Sequence, residues 1–230
     1  MLTRALSGVV LVVVMISMIL INEQTYFALW ALLAFATLGE FGWLTINHGQ
    51  KLGRKASLIH TIGAGYILLG YGTLMFGFDE NERWFVLTFI TLIWANDVGA
   101  YLIGSQFGKH KLAPKISPKK SWEGFAGGIA VTMIAAVAWY YIGWQKIFMA
   151  STPVGIVDNV YLVGMFLILA VAISIAAVLG DLIESWYKRK IGVKDSGNII
   201  PGHGGMLDRF DALLLAAPVA WVFWKLADFF

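Results

Sequence analysis

Apolar and polar positions in this chain alternate on a scale of about twenty residues. Apolar runs at about 5–21, 26–46, 57–78, 84–107, 122–143, 159–184 and 211–229 are separated by short polar intervals. A helix needs roughly 20 apolar residues to cross a bilayer. The pattern therefore predicts an all-α integral membrane protein of about seven transmembrane helices, built as one polytopic domain over residues 1–230. Glycine, serine and threonine recur inside the runs, which suits close helix packing in lipid. No internal repeat, soluble domain or low-complexity linker interrupts the pattern. The first run, Leu6 to Ile21, follows Arg4. It is long for a signal-peptide core and lacks a small-residue cleavage site after it, so it is expected to stay as the first span.

Composition agrees with the pattern. Charged residues make up 13% of the chain, against about 25% in an ordinary soluble domain. Mean hydropathy is +0.74. The absence of cysteine excludes disulfides, thiolate metal sites and thiol nucleophiles.

The basic residues fix an expected orientation. One set of alternate loops carries Arg4; Lys51, Arg54 and Lys55; Lys109, Lys111, Lys115, Lys119 and Lys120; and Lys188, Arg189, Lys190, Lys194 and Arg209. The opposite set carries Arg83, Lys146 and Lys225. Such asymmetry puts the first set in the cytoplasm. The N-terminus is then cytoplasmic and the C-terminus outside, and the chain resides in the cytoplasmic membrane. The motif-like polar sequence faces the cytoplasm, open to soluble metabolites. No nucleic-acid partner is expected.

The longest polar interval runs from Asp181 to Asp211. It mixes carboxylates (Asp181, Glu184, Asp195, Asp208, Asp211) with cations (Lys188, Arg189, Lys190, Lys194, Arg209), and it holds His203 in the glycine turn Pro201-Gly202-His203-Gly204-Gly205. Ionisable groups beside membrane spans are costly and usually mark function. Asp181, Glu184, Ser185 and Lys188 share one helical face. Glu184 and Lys188 are spaced for an internal salt bridge, whereas Asp181 has no such local partner and lies deeper in the apolar run, where a metal suits it. Asp208 and Asp211 begin the last helix, where the helix dipole favours carboxylates in any case. Asp97 lies toward the end of the fourth run. The following loop reaches Ser117-Pro118-Lys119-Lys120-Ser121 directly before a helix, which Ser117 or Ser121 can cap. Contact with anionic lipid explains the loop's charge; a polyphosphate site at the helix start, with Lys119 and Lys120, explains its position as well. Mg²⁺ prefers one or two carboxylates plus phosphates and water, and Asp181 with Asp208 meets that need. The residues alone therefore reach a cytoplasm-facing, metal-dependent site for a phosphorylated substrate.

The order of these residues also resembles a family signature. Ser185-Trp186-Tyr187-Lys188-Arg189, Lys194-Asp195-Ser196-Gly197, Pro201-Gly202-His203-Gly204-Gly205 and Asp208-Arg209-Phe210-Asp211, together with Asn96-Asp97-Val98-Gly99-Ala100-Tyr101 and Ser117 to Gly124, resemble the phosphatidate cytidylyltransferases (CDP-diacylglycerol synthases). The two blocks cover about 95–128 and 180–215, and a long ordered motif is far more specific than a lone glycine loop. The resemblance implies a nucleotidyltransferase of phospholipid biosynthesis that converts CTP and phosphatidate to CDP-diacylglycerol and pyrophosphate. It implies Mg²⁺ with a second, monovalent cation such as K⁺. Asp181, Lys188 and Asp208 become catalytic, with Asp181 and Asp208 as metal ligands. Asp97, Ser117, Lys119, Lys120, Lys194, His203, Arg209 and Asp211 become the substrate pocket. A homodimer is left open. Ser121 stands where the family commonly has threonine, which keeps the hydroxyl. The chain is short for the bacterial family, with the loss expected in N-terminal, lipid-scaffolding spans. Three other readings compete. A CTP-dependent polyprenol- or phytol-type lipid kinase would release CDP, and a paralogue could use another phospholipid acceptor. An ion-coupled transporter would show inverted repeats and midplane carboxylates, and neither is seen.

Overall fold

The computed structural model describes residues 2–79, 82–144, 156–197 and 204–227. Among them are seven α-helices: α1 (Leu2–Ile21), α2 (Glu23–His48), α3 (Ala56–Phe76), α4 (Arg83–Phe107), α5 (Trp122–Trp139), α6 (Ile156–Ile191) and α7 (Leu207–Ala227). Each overlaps one of the predicted apolar runs. Among the described residues, four helical stretches are long and apolar enough to cross a membrane: Glu23–Phe76, Arg83–Phe107, Trp122–Ile142 and Asn159–Ile191. A shorter apolar helix covers Gly8–Ile21.

The first of these stretches has 54 residues. As one straight rod at ~1.5 Å per residue it would measure about 80 Å, far more than the roughly 30 Å of a hydrocarbon core. It is instead broken by the 3₁₀ segment Gly49–Lys55, where Gly53 takes φ 60° and ψ −140°, and α2 folds back against α3. An Asn22–Thr25 capping box starts α2, and its buried face (Tyr26, Leu29, Trp30, Leu33, Thr37, Glu40, Phe41, Leu44) follows the helical repeat.

Packing neighbours run α1–α2–α3–α7–α6–α5–α4, so the last helix is inserted between the third and the sixth. Two contacts depend on missing side chains. A Cβ at Gly180 of α6 would lie 2.5 Å from the Asp211 carbonyl oxygen of α7. On α4 and α5, Gly104 and Gly124 meet, and a Cβ on Gly104 would sit 3.2 Å from the Gly124 Cα. Small residues thus let these helices approach backbone to backbone.

Among the described residues, one segment departs from the all-α expectation by forming strands. The lysine-rich loop forms an antiparallel hairpin, β1 (Lys111–Ala113) and β2 (Ser117–Ser121), with Lys111 opposite Ser121 and Ala113 opposite Ser117. Its turn is closed by Ile116 N–H donating to the Ala113 carbonyl at 3.1 Å. A second departure is length. α6 continues to Ile191, beyond the predicted 184, because Lys188, Arg189 and Lys190 sit in its last turn, where the dipole favours cations. The helix then stops in a Schellman-type cap. Gly192 has φ 76°, and Val193 N–H reaches back to the Lys188 carbonyl at 3.0 Å.

Candidate functional site

The Gly180 contact brings α6 and α7 together where both carry carboxylates. Single oxygens of Asp181, Glu184 and Asp211 lie within 4.8 Å of one another. Glu184 is buried, and its Oε1 has no hydrogen-bond partner among the described residues. Three carboxylates this close repel each other unless a cation or a proton lies between them. An all-oxygen donor set suits a hard cation such as Mg²⁺, so these residues fit the implied metal.

Lys188 adjoins the cluster. Its Nζ lies 2.7 Å from Glu184 Oε2, the salt bridge anticipated from spacing, and 2.5 Å from Asp208 Oδ1. The other Asp208 oxygen accepts the backbone N–H groups of Ser196 and Gly205, both at 3.0 Å. Asp208 is therefore engaged by Lys188 and two amides, while Asp211, one turn on, faces Asp181 and Glu184. The metal pair anticipated from sequence was Asp181 with Asp208; the carboxylates grouped most tightly with Asp181 are Glu184 and Asp211.

A residue the sequence reading passed over supports this arrangement. Glu40 of α2 is buried, 5% exposed. Its Oε2 accepts from Ser196 Oγ at 2.8 Å and from Leu207 N–H at 2.7 Å. Ser196 Oγ in turn accepts the Asp208 N–H at 3.3 Å. The Glu40 carboxylate also fills the space over Gly197 and Gly205, where added Cβ atoms would lie 2.0 and 2.1 Å from its Oε1. Glu40 thus pins the chain on both sides of the 198–203 segment to the start of α7. The signal was present in the sequence: a lone carboxylate inside an apolar run.

Cations reach the cluster from the other half of the molecule. Lys120 of β2 places its Nζ 2.6 Å from Asp181 Oδ2. Ser185 donates to the other Asp181 oxygen at 3.1 Å. The partners of Asp181 are thus a hydroxyl one turn away and a lysine brought in by tertiary folding. Two ties hold the hairpin. Glu123 accepts the Lys109 and His110 N–H groups at 3.2 Å and contacts His110 Nδ1 at 2.6 Å. Arg189 Nε of α6 donates to the Ile116 carbonyl at 3.3 Å. Ser121, not Ser117, caps α5 by accepting the Gly124 N–H at 3.1 Å.

Between α4, the hairpin, α5 and α6 lies a polar cavity of about 460 Å³, lined among others by Asp97, Tyr101, Lys111, Lys119, Lys120 and Asp181. Of the predicted site residues, Asp97, Lys119, Lys120 and Asp181 line it, while Asp211, Lys188 and Asp208 lie in or beside the carboxylate cluster. Ser117 sits at the start of β2, away from that lining. Lys194 and Arg209 are exposed near the Ser196–Asp208 contact. His203 lies outside the described residues. A second cavity of about 280 Å³ flanks the opposite side of α6, lined by apolar residues of α2, α3 and α6 and by Glu184.

Comparison with known proteins gives one consistent result. The sequence pattern of the cytidylyltransferase family matches residues 3–227. A phosphatidate cytidylyltransferase of Rickettsia bellii is 34% identical over 222 residues, covering 94% of this chain and 87% of that protein. Proteins of the same name from Haemophilus influenzae and Staphylococcus aureus are 47% and 42% identical over 141 and 154 residues. Those two matches cover 61% and 66% of this chain, and 46% and 53% of the relatives. With a match spanning nearly every residue, both blocks of polar motif included, the chain belongs to the cytidylyltransferase family.

Proposed function

We propose that this chain is a phosphatidate cytidylyltransferase: it transfers the cytidylyl group of CTP to phosphatidate and releases pyrophosphate. The observation that carries the reading is the meeting of hairpin lysines and helix carboxylates in one place, in a chain whose relatives with this name match it over most of its length. In this reading the seven helices cross the cytoplasmic membrane, with the N-terminus and the polar cavity on the cytoplasmic side and the C-terminus outside. CTP occupies the polar cavity. Lys119 and Lys120 neutralise its phosphates, and Asp97, Lys194, His203, Arg209 and Asp211 complete the substrate pocket.

A phosphate oxygen of phosphatidate attacks the α-phosphorus of CTP. A new P–O bond forms as the bond to the pyrophosphate oxygen breaks. Phosphatidate already carries an ionised oxygen near neutral pH, so no strong general base is required. The protein's task is positioning and charge neutralisation. Lys188 serves the phosphates beside Asp208. Asp181 and Asp208 would hold the divalent ion, and we include Glu184 and Asp211 because their oxygens lie within 4.8 Å of one of Asp181's. A divalent ion such as Mg²⁺, together with a monovalent ion such as K⁺, would supply charge stabilisation to the transition state when bound.

The direct test is purified protein in detergent with phosphatidate, Mg²⁺ and CTP labelled on its α-phosphate. Label is expected in the lipid phase, with stoichiometric pyrophosphate, and is expected to vanish on chelation. Release of CDP in place of pyrophosphate would assign a lipid kinase and overturn the reading.

A further inference from the structure

Asp181 and Glu184 stand one turn apart on α6 and border different cavities. Asp181 lines the polar one, among lysines. Glu184 lines the smaller one, whose other walls are Phe41, Ile62, Gly63, Tyr66 and Trp186 with their apolar neighbours. The carboxylate cluster is therefore a shared wall between a basic chamber and an apolar groove. We infer that the groove between α2, α3 and α6 receives an acyl chain of the phosphatidate substrate, an assignment that rests on the function proposed above.

Four observations lead there. The reaction joins a soluble nucleotide to a lipid, so its metal-binding groups must have one neighbour suited to each, and the two cavities supply that pair. At about 280 Å³ against 460 Å³, the groove fits a slender chain better than a nucleotide triphosphate. The few polar groups around it are turned elsewhere. The Tyr66 hydroxyl donates to the Asp211 carbonyl at 3.4 Å, and the Tyr187 hydroxyl shares a hydrogen bond with Thr45. Finally, its rim is on the outside of the bundle. Ile62 is 61% exposed, Ile183 44% and Trp186 37%, so a chain enters sideways without crossing a polar layer. Lys188, which touches Glu184, sits where the lipid phosphate must end.

Gly63 sets the width of the groove. A Cβ there would lie 2.4 Å from the Phe41 ring. A leucine at this position therefore displaces Phe41 into the groove or fills it directly.

Two measurements test the assignment. The first uses phosphatidate carrying a diazirine in one acyl chain, photolysed on the wild-type protein in detergent and mapped by mass spectrometry. Adducts are expected on groove residues such as Ile59 and Ile62, suppressed by unlabelled dioleoyl phosphatidate. Adducts spread evenly over the outer helix faces, or confined to other helices, overturn the groove. So does a second copy of this chain cross-linked across it. The second compares dioleoyl with dihexanoyl phosphatidate. Gly63→Leu and the rim variant Ile62→Trp are each expected to lower kcat/KM about tenfold more for the long-chain lipid, the effect of losing roughly two buried methylenes. Equal losses on both lipids overturn the assignment. Groove adducts without any CDP-diacylglycerol formation would leave a lipid site and remove the proposed reaction. Turnover with no groove adducts would do the reverse.

Discussion

The two halves of the candidate site handle charge in opposite ways. The α4–hairpin–α5 half presents cations at the surface. Lys111 and Lys119 are exposed, and the hairpin that carries them is secured through its backbone, by Glu123 at its base and Arg189 at its turn. The α2–α6–α7 half buries the centre of its polar network, although Arg189, Lys190 and Arg209 stay exposed. Glu40, Glu184 and Lys188 are each less than a tenth exposed, and Asp208 has a lysine and two amides on its oxygens. A lysine that neutralises a mobile triphosphate acts as a flexible point charge and needs only to be nearby. A carboxylate that holds a cation must keep one geometry, and burial with several partners supplies it. Substitutions in the acidic half should therefore strike turnover, and those in the basic half should strike nucleotide affinity.

The sharpest break in that contrast is Asp181→Asn or Asp208→Asn. Either should reduce turnover about a thousandfold, several kcal/mol of lost charge stabilisation, with the protein still monodisperse in detergent. Near wild-type label transfer in both would remove them as metal ligands.

Next in size is Glu40, which touches no predicted substrate group and acts only through Ser196 and Leu207. Glu40→Ala leaves two buried donors unsatisfied at ~1–3 kcal/mol each and should lower kcat about a hundredfold. The KM for CTP should stay within about twofold. Glu40→Gln keeps an acceptor and should recover most of the loss. Equal loss in both variants would show that the charge, not the tether, matters.

Smaller again is the pair Lys119→Ala and Lys120→Ala. Together they should raise the KM for CTP about tenfold or more, the scale of one or two charge-assisted contacts at ~1.5–3 kcal/mol. Titration at rising KCl should show a weaker salt dependence than wild type. An effect on kcat alone would contradict the division of labour between the halves.

The smallest change is Ser121→Ala. Loss of the α5 cap costs ~1 kcal/mol, a lowering of the unfolding temperature by about 2–4 °C, readable in a thermal-shift assay.

The helical architecture was legible because bilayer-length apolar runs report themselves without tertiary information. The hairpin was not. A three-residue strand offers no alternation to read, and Pro114 with Pro118 made the segment look like plain loop. Most of the site's membership was legible from chemistry and order, but its pairings were not. Spacing along α6 joined Glu184 to Lys188. Nothing local could bring Lys120 to Asp181 across 61 residues of chain, or set Asp211 of the next helix beside Asp181 and Glu184. Those facts depend on the backbone contact at Gly180 and on where the hairpin lies over α6. Glu40 is the instructive omission. A single carboxylate does not break the apolar pattern of its span, and only the tertiary contacts to Ser196 and Leu207 show what it does.

The Lys120–Asp181 ion pair makes the two halves compete for each other before either meets a ligand. A polyphosphate that draws Lys120 away leaves Asp181 with uncompensated negative charge and a higher affinity for a cation. A cation on Asp181 releases Lys120 for phosphate. Thermodynamic linkage makes the two effects equal: whatever factor the metal adds to nucleotide affinity, the nucleotide adds to metal affinity. On the function proposed above, the pair therefore disfavours half-loaded states and biases the site toward being empty or fully charged.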